Sequence, residues 1–545
     1  MRLTCTLFLI FSLNLLAQDK AQNETKYTHQ DSLRGTITPE RIWWDLTHYD
    51  LNITIRPESK TIFGKNTIQY KTLDPSNNVM QIDLQPPMQL TKAIQDGQEL
   101  SIEHDGNAHF IALEKSPQLN TIDSITVHFE GKPKEAVRAP WDGGFSWKKD
   151  EHGLDFIATS CQGLGASVWW PNKDHMYDEV DSMRIHVTVP KHLTAVANGR
   201  LKQVSKTDDE KTFTWEVLNP INNYGVNVNI GDYVHFSETY KGEKGILDMD
   251  YYVLKHHLKE AQKQFMDAPK TIEAFEHWFG PYPFYEDSFK LVEVPYLGME
   301  HQSSVTYGNQ FKQGYLGQDL SGTGWGLKFD FIIVHETGHE WFANSITNKD
   351  IADMWIHEGF TAYSENLFLD YHYGKEASAA YVIGTRKRIK NDRPIIGDYD
   401  VNARGSGDMY YKGSNIIHML RQLTKDDEKW RQILRKMNAK FYHQTVTTQQ
   451  IETFLSKEIG LKLNPFFNQY LRDFRIPILE YSIENNVLFY RWNNVVDGFD
   501  MPVEIVSNNE IQWLYPTEAW QITKINSSKI KIDDDYYVST KNLNQ

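Results

Sequence analysis

From about Trp43 to Val234 apolar and polar residues alternate with period two, in runs such as Leu51, Ile53, Ile55, then Ile125, Val127, Phe129, then Met183, Ile185, Val187, Val189. Side chains on a strand point to opposite faces in turn, so this alternation predicts strands with one buried face. Proline and Gly/Asp punctuation separates the runs, and no long helical pattern lies between them, which predicts one large sheet domain rather than a βαβ repeat. Near residue 250 the period changes. Ile272, Phe275 and Phe279 recur at helical spacing up to the breaker run Gly280-Pro281-Tyr282-Pro283, and helical character continues to about Phe474. Beyond Arg475 the period shortens again, with Leu479, Tyr481, Ile483 and then Val503, Ile505 predicting a small terminal β-domain.

The fold expected is therefore multidomain α+β. It comprises a β-rich, saddle-like N-terminal domain over 43–245, a mainly helical domain over 246–474 and a small β-sandwich-like domain over 475–545. Ahead of them stand Arg2 and the apolar stretch Leu7–Leu16, ending at Ala17. That pattern reads as a signal peptide over 1–17, too short for the roughly 20 apolar residues that cross a bilayer, followed by an extension over 18–42. The expectation is export, to the periplasm or beyond, with no transmembrane segment in the mature protein. Cleavage removes Cys5 and leaves Cys161 alone, which excludes an intrachain disulfide and suits a buried small hydrophobe.

Composition narrows the function. Over 545 residues, 40% are hydrophobic and 13% aromatic, as in globular proteins. A formal charge of −15 argues against nucleic acid as a partner, because an acidic surface repels phosphates at long range. Oligomeric state is not legible.

The chemistry concentrates in Phe331-Ile-Ile-Val-His335-Glu336-Thr-Gly-His339-Glu-Trp341. On a helix, His335 and His339 share a face one turn apart, so two imidazole nitrogens can reach one Zn²⁺ and Glu336 stands beside its open position. Taken alone the pattern also fits ordinary helix residues. Eighteen residues after His339 comes Glu358, in Trp355-Ile-His357-Glu358-Gly-Phe-Thr-Ala-Tyr-Ser-Glu365. A carboxylate on a second helix would complete a three-ligand catalytic site. Glu365, seven residues further along the same face, reads either as a partner for a ligating histidine or as a solvated residue.

H-E-x-x-H, eighteen residues, then Glu in a W-x-x-E-G setting resembles the aminopeptidase N family of gluzincin metallopeptidases, to which leukotriene A hydrolase also belongs. Three further segments resemble motifs of that family in the right order: Phe279-Gly-Pro-Tyr-Pro-Phe284, Gly298-Met299-Glu300-His301 and Tyr410-Tyr411-Lys412-Gly413. Upstream, Cys161-Gln162-Gly-Leu-Gly-Ala-Ser167 resembles the segment by which the N-terminal domain reaches the active site. The resemblance implies a thermolysin-like catalytic domain and one Zn²⁺ held by His335, His339 and Glu358. Glu336 would be the base that activates a zinc-bound water, and Tyr410, rather than Tyr411, the donor to the developing oxyanion. Glu300 and Gln162, with Gly298 and Met299, would hold the free amine of a peptide substrate, making the protein a zinc aminopeptidase of extracytoplasmic peptides. Alternatives on the same frame are a zinc endopeptidase, an epoxide hydrolase, or a catalytically weak or inactive peptide-binding scaffold.

The sequence departs from the family pattern at His301 and His357, each standing for Asn, at Ala343 for Gly, and at Ser167 for Arg. Either histidine is expected to perturb the pH profile, since imidazole titrates near neutrality. Gln545 follows directly on the small β-domain, where many members carry a long helical domain over the site, so a more open cleft that admits longer peptides is the expectation.

Overall fold

The computed structural model describes residues 27–508 and 510–544; the leader over 1–17, with Cys5, lies outside them. A short helix, α1 (His29–Gly35), opens the described chain on a Thr28 capping box. It is tied down: Arg41, just beyond it, is fully buried, takes three carbonyls at 33, 34 and 36 and donates to Asp83 at 2.7 Å. A buried guanidinium is tolerable here because Nη1 and Nη2 are bonded and Asp83 balances the charge, though Nε has no partner.

The alternating segments form strands as the pattern requires. β1 (Trp44–Arg56) pairs antiparallel with β2 (Thr61–Thr72), and β2 in turn with β3 (Ile122–Gly131), inside an eight-stranded sheet. β4 (Gly144–Lys149) and β5 (Asp155–Ser160) form a hairpin in a separate four-stranded sheet, and β5 leads straight to Cys161 and Gln162. β6 (Ser182–Pro190) returns to the first sheet parallel to β1, with Leu51 opposite Ile185 and Ile53 opposite Val187. Those residues are buried, and together with Trp43, Trp44, Trp169 and Trp170 they make the core of the N-terminal domain.

A hairpin of β7 (Tyr233–Gly242) and β8 (Gly245–Leu254) begins the next sheet. The division drawn at 245/246 falls at its turn, yet both strands share one five-stranded sheet with β9 (Phe289–Glu293), β10 (Gly298–Met299) and β11 (Val305–Tyr307), in the order β7-β8-β9-β11-β10. Periodicity cannot assign a hairpin to one of two β-rich neighbours, because hydrogen-bond partners distant in sequence decide that. Between β8 and β9 lies α2 (Asp267–Phe279), and after the sheet come α3 (Phe331–Gly338), α4 (Trp355–Tyr373) and α5 (Tyr411–Thr424).

The last stretch folds into a four-stranded and a three-stranded sheet, around Ile478–Glu484 and Val503–Ser507 respectively. Its Leu479, Trp492, Phe499 and Ile505 belong to the same apolar cluster as the helical domain, so the two share a continuous core. No helix among the described residues is long and apolar enough to cross a membrane.

Candidate active site

α3 is buried all round, as its Phe-Ile-Ile-Val run demands. Asp330 caps it, accepting from the backbone N–H groups of Ile332 (3.0 Å) and Ile333 (3.3 Å). Asp330 also accepts from Gln264, Tyr307 and Asn309, and burial nevertheless pushes its carboxyl up to about 7. The rings of His335 and His339 lie 5.0 Å apart on one face.

Both rings are oriented from behind. His335 Nδ1 meets Glu365 Oε1 at 2.7 Å, and Tyr381 donates to the other Glu365 oxygen at 2.6 Å. His339 Nδ1 meets the Phe342 carbonyl at 2.9 Å, with Thr361 Oγ1 at 3.0 Å. A ring held through Nδ1 presents Nε2, and both Nε2 atoms face Glu358 Oε2, at 3.7 Å from His335 and 3.4 Å from His339. That oxygen is buried and has no hydrogen-bond partner. Glu365 is fully buried, so the solvated-face alternative is excluded.

This donor set fits a zinc ion. Bonds of about 2.0–2.1 Å in a tetrahedron place neighbouring ligand atoms about 3.3 Å apart, close to the spacings found. Charge agrees. Burial lowers the His335 pKa, but Glu358 and Glu365 more than reverse this and hold it well above the ordinary imidazole value. Burial opposes ionisation of Glu358, and His339 and His335 outweigh it, keeping its carboxyl well below the usual range. The centre of the triad thus demands positive charge, and two imidazoles with one carboxylate are the ligands Zn²⁺ takes in catalytic sites.

Glu336 projects beside the triad. Burial, reinforced by the Glu300 and Glu358 charges and opposed by the histidines, pushes its carboxyl up to about 7. Donor atoms of Glu300, Glu336 and His339 all lie within 4.8 Å of one another. Glu300 directly follows the edge strand β10, whose approach to α3 needs a glycine: a Cβ at Gly298 would stand 2.6 Å from Ile332 Cγ2. Met299 packs against the N-terminal core and, with Gly298, also lines the cavity in front of the triad. Glu300 accepts from Gln162 Nε2 at 2.5 Å and from the Tyr224 hydroxyl at 3.2 Å. Gln162 therefore holds Glu300 through its amide N–H, which leaves its carbonyl oxygen uncommitted to Glu300.

Tyr410 stands at the start of α5, and its hydroxyl donates to Glu358 Oε1 at 2.9 Å. Burial and the Glu358 charge raise its pKa well above 10, so it stays a donor. Two glycines allow this contact. A Cβ on Gly413 would lie 2.8 Å from the Cα of Gly359, so α5 and α4 touch backbone to backbone just where Tyr410 meets Glu358. Tyr411 also lines the cavity, of about 230 Å³, that these residues share with Trp141, Tyr315 and Arg404.

Two expectations fail. His301 and His357 are fully buried, and burial pushes both pKa values down to about 3, so neither ring titrates near neutrality. His357 Nε2 accepts from the Asn348 backbone N–H at 2.7 Å, the part an asparagine oxygen could play. Ser167 is also structural, donating from its hydroxyl to Asp174 at 2.5 Å. Tyr224 went unnoticed in the sequence: it belongs to no motif, and only the fold carries the segment Asn222-Asn223-Tyr224-Gly225 from the N-terminal domain onto Glu300.

Comparison with known proteins places the chain in a family. The peptidase family M1 domain model matches residues 264–470, and the M1 N-terminal domain model matches 46–224. A probable aminopeptidase 2 of Sulfurisphaera tokodaii is 21% identical over 441 residues, covering 75% of this chain and 54% of that protein. Leukotriene A-4 hydrolase of Xenopus laevis is 25% identical over 349 residues, covering 59% of this chain and 53% of its own. The chain spans about half the length of the curated relatives it matches. Among solved structures, an M1 zinc metallopeptidase variant from Deinococcus radiodurans bound to a Tyr-Ser-Ala substrate superposes with a TM-score of 0.65 at 20% identity, covering 77% of this chain and 92% of that one. With both of its characteristic domains matched in order and its metal-ligand pattern intact, the chain belongs to the M1 peptidase family, the aminopeptidase N branch of the gluzincins.

Proposed function

We propose that the protein is an exported zinc aminopeptidase that removes the N-terminal residue of peptides. The observation that carries this reading is the buried Glu300 carboxylate, held by Gln162 and Tyr224 beside Glu336 and the His335/His339/Glu358 triad. Burying a carboxylate is costly unless a cation joins it, and the free amine of a peptide chain is such a cation. A substrate so anchored presents its first peptide bond to the triad. An internal segment has no amine to offer, which disfavours an endopeptidase, and a scaffold has no use for Glu336.

Zinc at the triad supplies Lewis acidity, lowering the pKa of water to about 7 from 15.7 in bulk. Glu336 accepts a proton from the attacking water and delivers it to the leaving nitrogen. The Tyr410 hydroxyl, a short movement from Glu358, donates to the carbonyl oxygen as negative charge builds there. Glu365 and the Phe342 carbonyl keep both imidazoles aimed while this happens. Residues 1–17 support export, and the N-terminus of protein recovered from the periplasm or medium, read by mass spectrometry, tests it.

The decisive comparison is an aminoacyl reporter with its amine free and the same reporter N-acetylated. Hydrolysis of the free form alone, abolished by chelator and restored by Zn²⁺, is the expected result; equal rates on both would refute an aminopeptidase.

A further inference from the structure

A second group of ligand-type side chains lies where the two large domains meet, away from the catalytic triad. The turn between β4 and β5 carries Glu151 and His152, and is locked by Asp150, whose backbone and side chain hold residues 152–154. His256 follows β8 in the single turn 255–257, at the entry to the helical domain. Glu151 Oε1 stands 3.7 Å from His152 Nε2 and 3.6 Å from His256 Nε2, and the two rings lie 4.5 Å apart, nearly perpendicular. His256 Nε2 is buried and lacks any hydrogen-bond partner. Its ring is further fixed by His257, packed against it at 4.3 Å and itself held by Glu293 at 2.6 Å.

We propose that Glu151, His152 and His256 form a second metal site, for a divalent ion of the zinc–copper class, that bridges the N-terminal and helical domains. Ligand-type atoms of the three residues lie within 4.8 Å of one another, and the two spacings to Glu151 approach the roughly 3.3 Å of a tetrahedral zinc sphere. Two imidazoles with one carboxylate select borderline transition ions over Ca²⁺ or Mg²⁺, which take mostly oxygen ligands. Side-chain exposures of 63% for Glu151 and 59% for His152, against 16% for His256, leave water to complete the sphere. The His256 nitrogen left without a partner is then satisfied by the ion.

The position gives the ion something to do. Glu151 and His152 sit at one end of β5, and Gln162, which holds Glu300, follows the other end. An ion that joins this turn to His256 ties the β4–β5 hairpin to the helical domain and restrains the strand that delivers Gln162. Because the ion binds the folded junction and not the separated domains, its binding stabilises the docked arrangement.

Equilibrium dialysis of the full chain against Zn²⁺, with metal counted per chain, tests the site. The expected result is two equivalents for the wild type and one for His152→Ala and His256→Gln, each still hydrolysing a free-amine reporter. Cu²⁺ added to wild type carrying a single equivalent of Zn²⁺ is expected to give an electron paramagnetic resonance signal with nitrogen coupling, lost in His152→Ala. The second equivalent is also expected to raise the thermal unfolding midpoint of the wild type and not of His152→Ala. His152 is exposed, so that variant folds whatever His256→Gln does. A single equivalent in the wild type, two equivalents in His152→Ala, or an equal midpoint rise in both would overturn the proposal.

Discussion

Two clusters in this molecule contain the same chemical donors, two histidines and a glutamate, and they are built in opposite ways. Around His335, His339 and Glu358 each group is held from behind: Glu365 and Tyr381 on one ring, Phe342 and Thr361 on the other, Tyr410 and Gln162 on the carboxylate. Around Glu151, His152 and His256 only His256 is fixed, by packing, while the other two reach into solvent. The difference teaches that the residue types decide which ion can be held, while burial and supporting contacts decide how tightly, and whether chemistry can follow. A second contrast is the spare carboxylate. The inner cluster has Glu336 beside it, poised near neutrality, and no further acidic group joins the outer one among the described residues.

The largest expected effect removes that spare group. Glu336→Gln keeps the shape and all three ligands, so it should lower kcat by about 10²–10⁴-fold while zinc content stays at the wild-type level. Loss of zinc together with activity would show that Glu336 is structural. Next, Glu365→Gln makes the inner cluster more like the outer one by weakening the support of His335. Metal affinity, followed by competition with a chelator, is expected to fall about 10–100-fold. Third, Gly413→Ala forces α5 away from Gly359 without touching any ligand. Overpacking of this kind costs about 1–3 kcal/mol, and kcat should fall more than zinc affinity because Tyr410 is displaced from Glu358.

The smallest effect concerns Ala343, buried in the turn after α3 with φ at 150°, a conformation that suits glycine. Ala343→Gly should raise stability by about 1 kcal/mol, the relief of strain exceeding the entropy cost of glycine. The measurement is the urea midpoint at unchanged m-value; a fall would mean the turn is relaxed as it stands.

Much of this site was readable along the chain because its ligands come in two short segments whose spacing is set by helix geometry. His335 and His339 are one turn apart, and Glu358 and Glu365 share a face of α4, so local periodicity alone puts each pair together. Gln162, Tyr224 and Glu300 meet across more than a hundred residues of intervening chain between Gln162 and Glu300, and no local pattern carries that information. The two unusual histidines misled for a related reason: an imidazole's titration depends on burial, which residue type does not report.

By itself, then, the order of residues determined the strands of the first domain, the helices that bear the metal ligands and the chemistry those ligands permit, because each rests on interactions within about one turn or one strand. Tertiary structure alone decided that hairpin β7–β8 joins the helical domain's sheet, that Gln162 and Tyr224 come to Glu300, and that Glu151 and His152 meet His256. Those outcomes depend on which surfaces exclude water from one another, a property of the packed molecule and of no single segment.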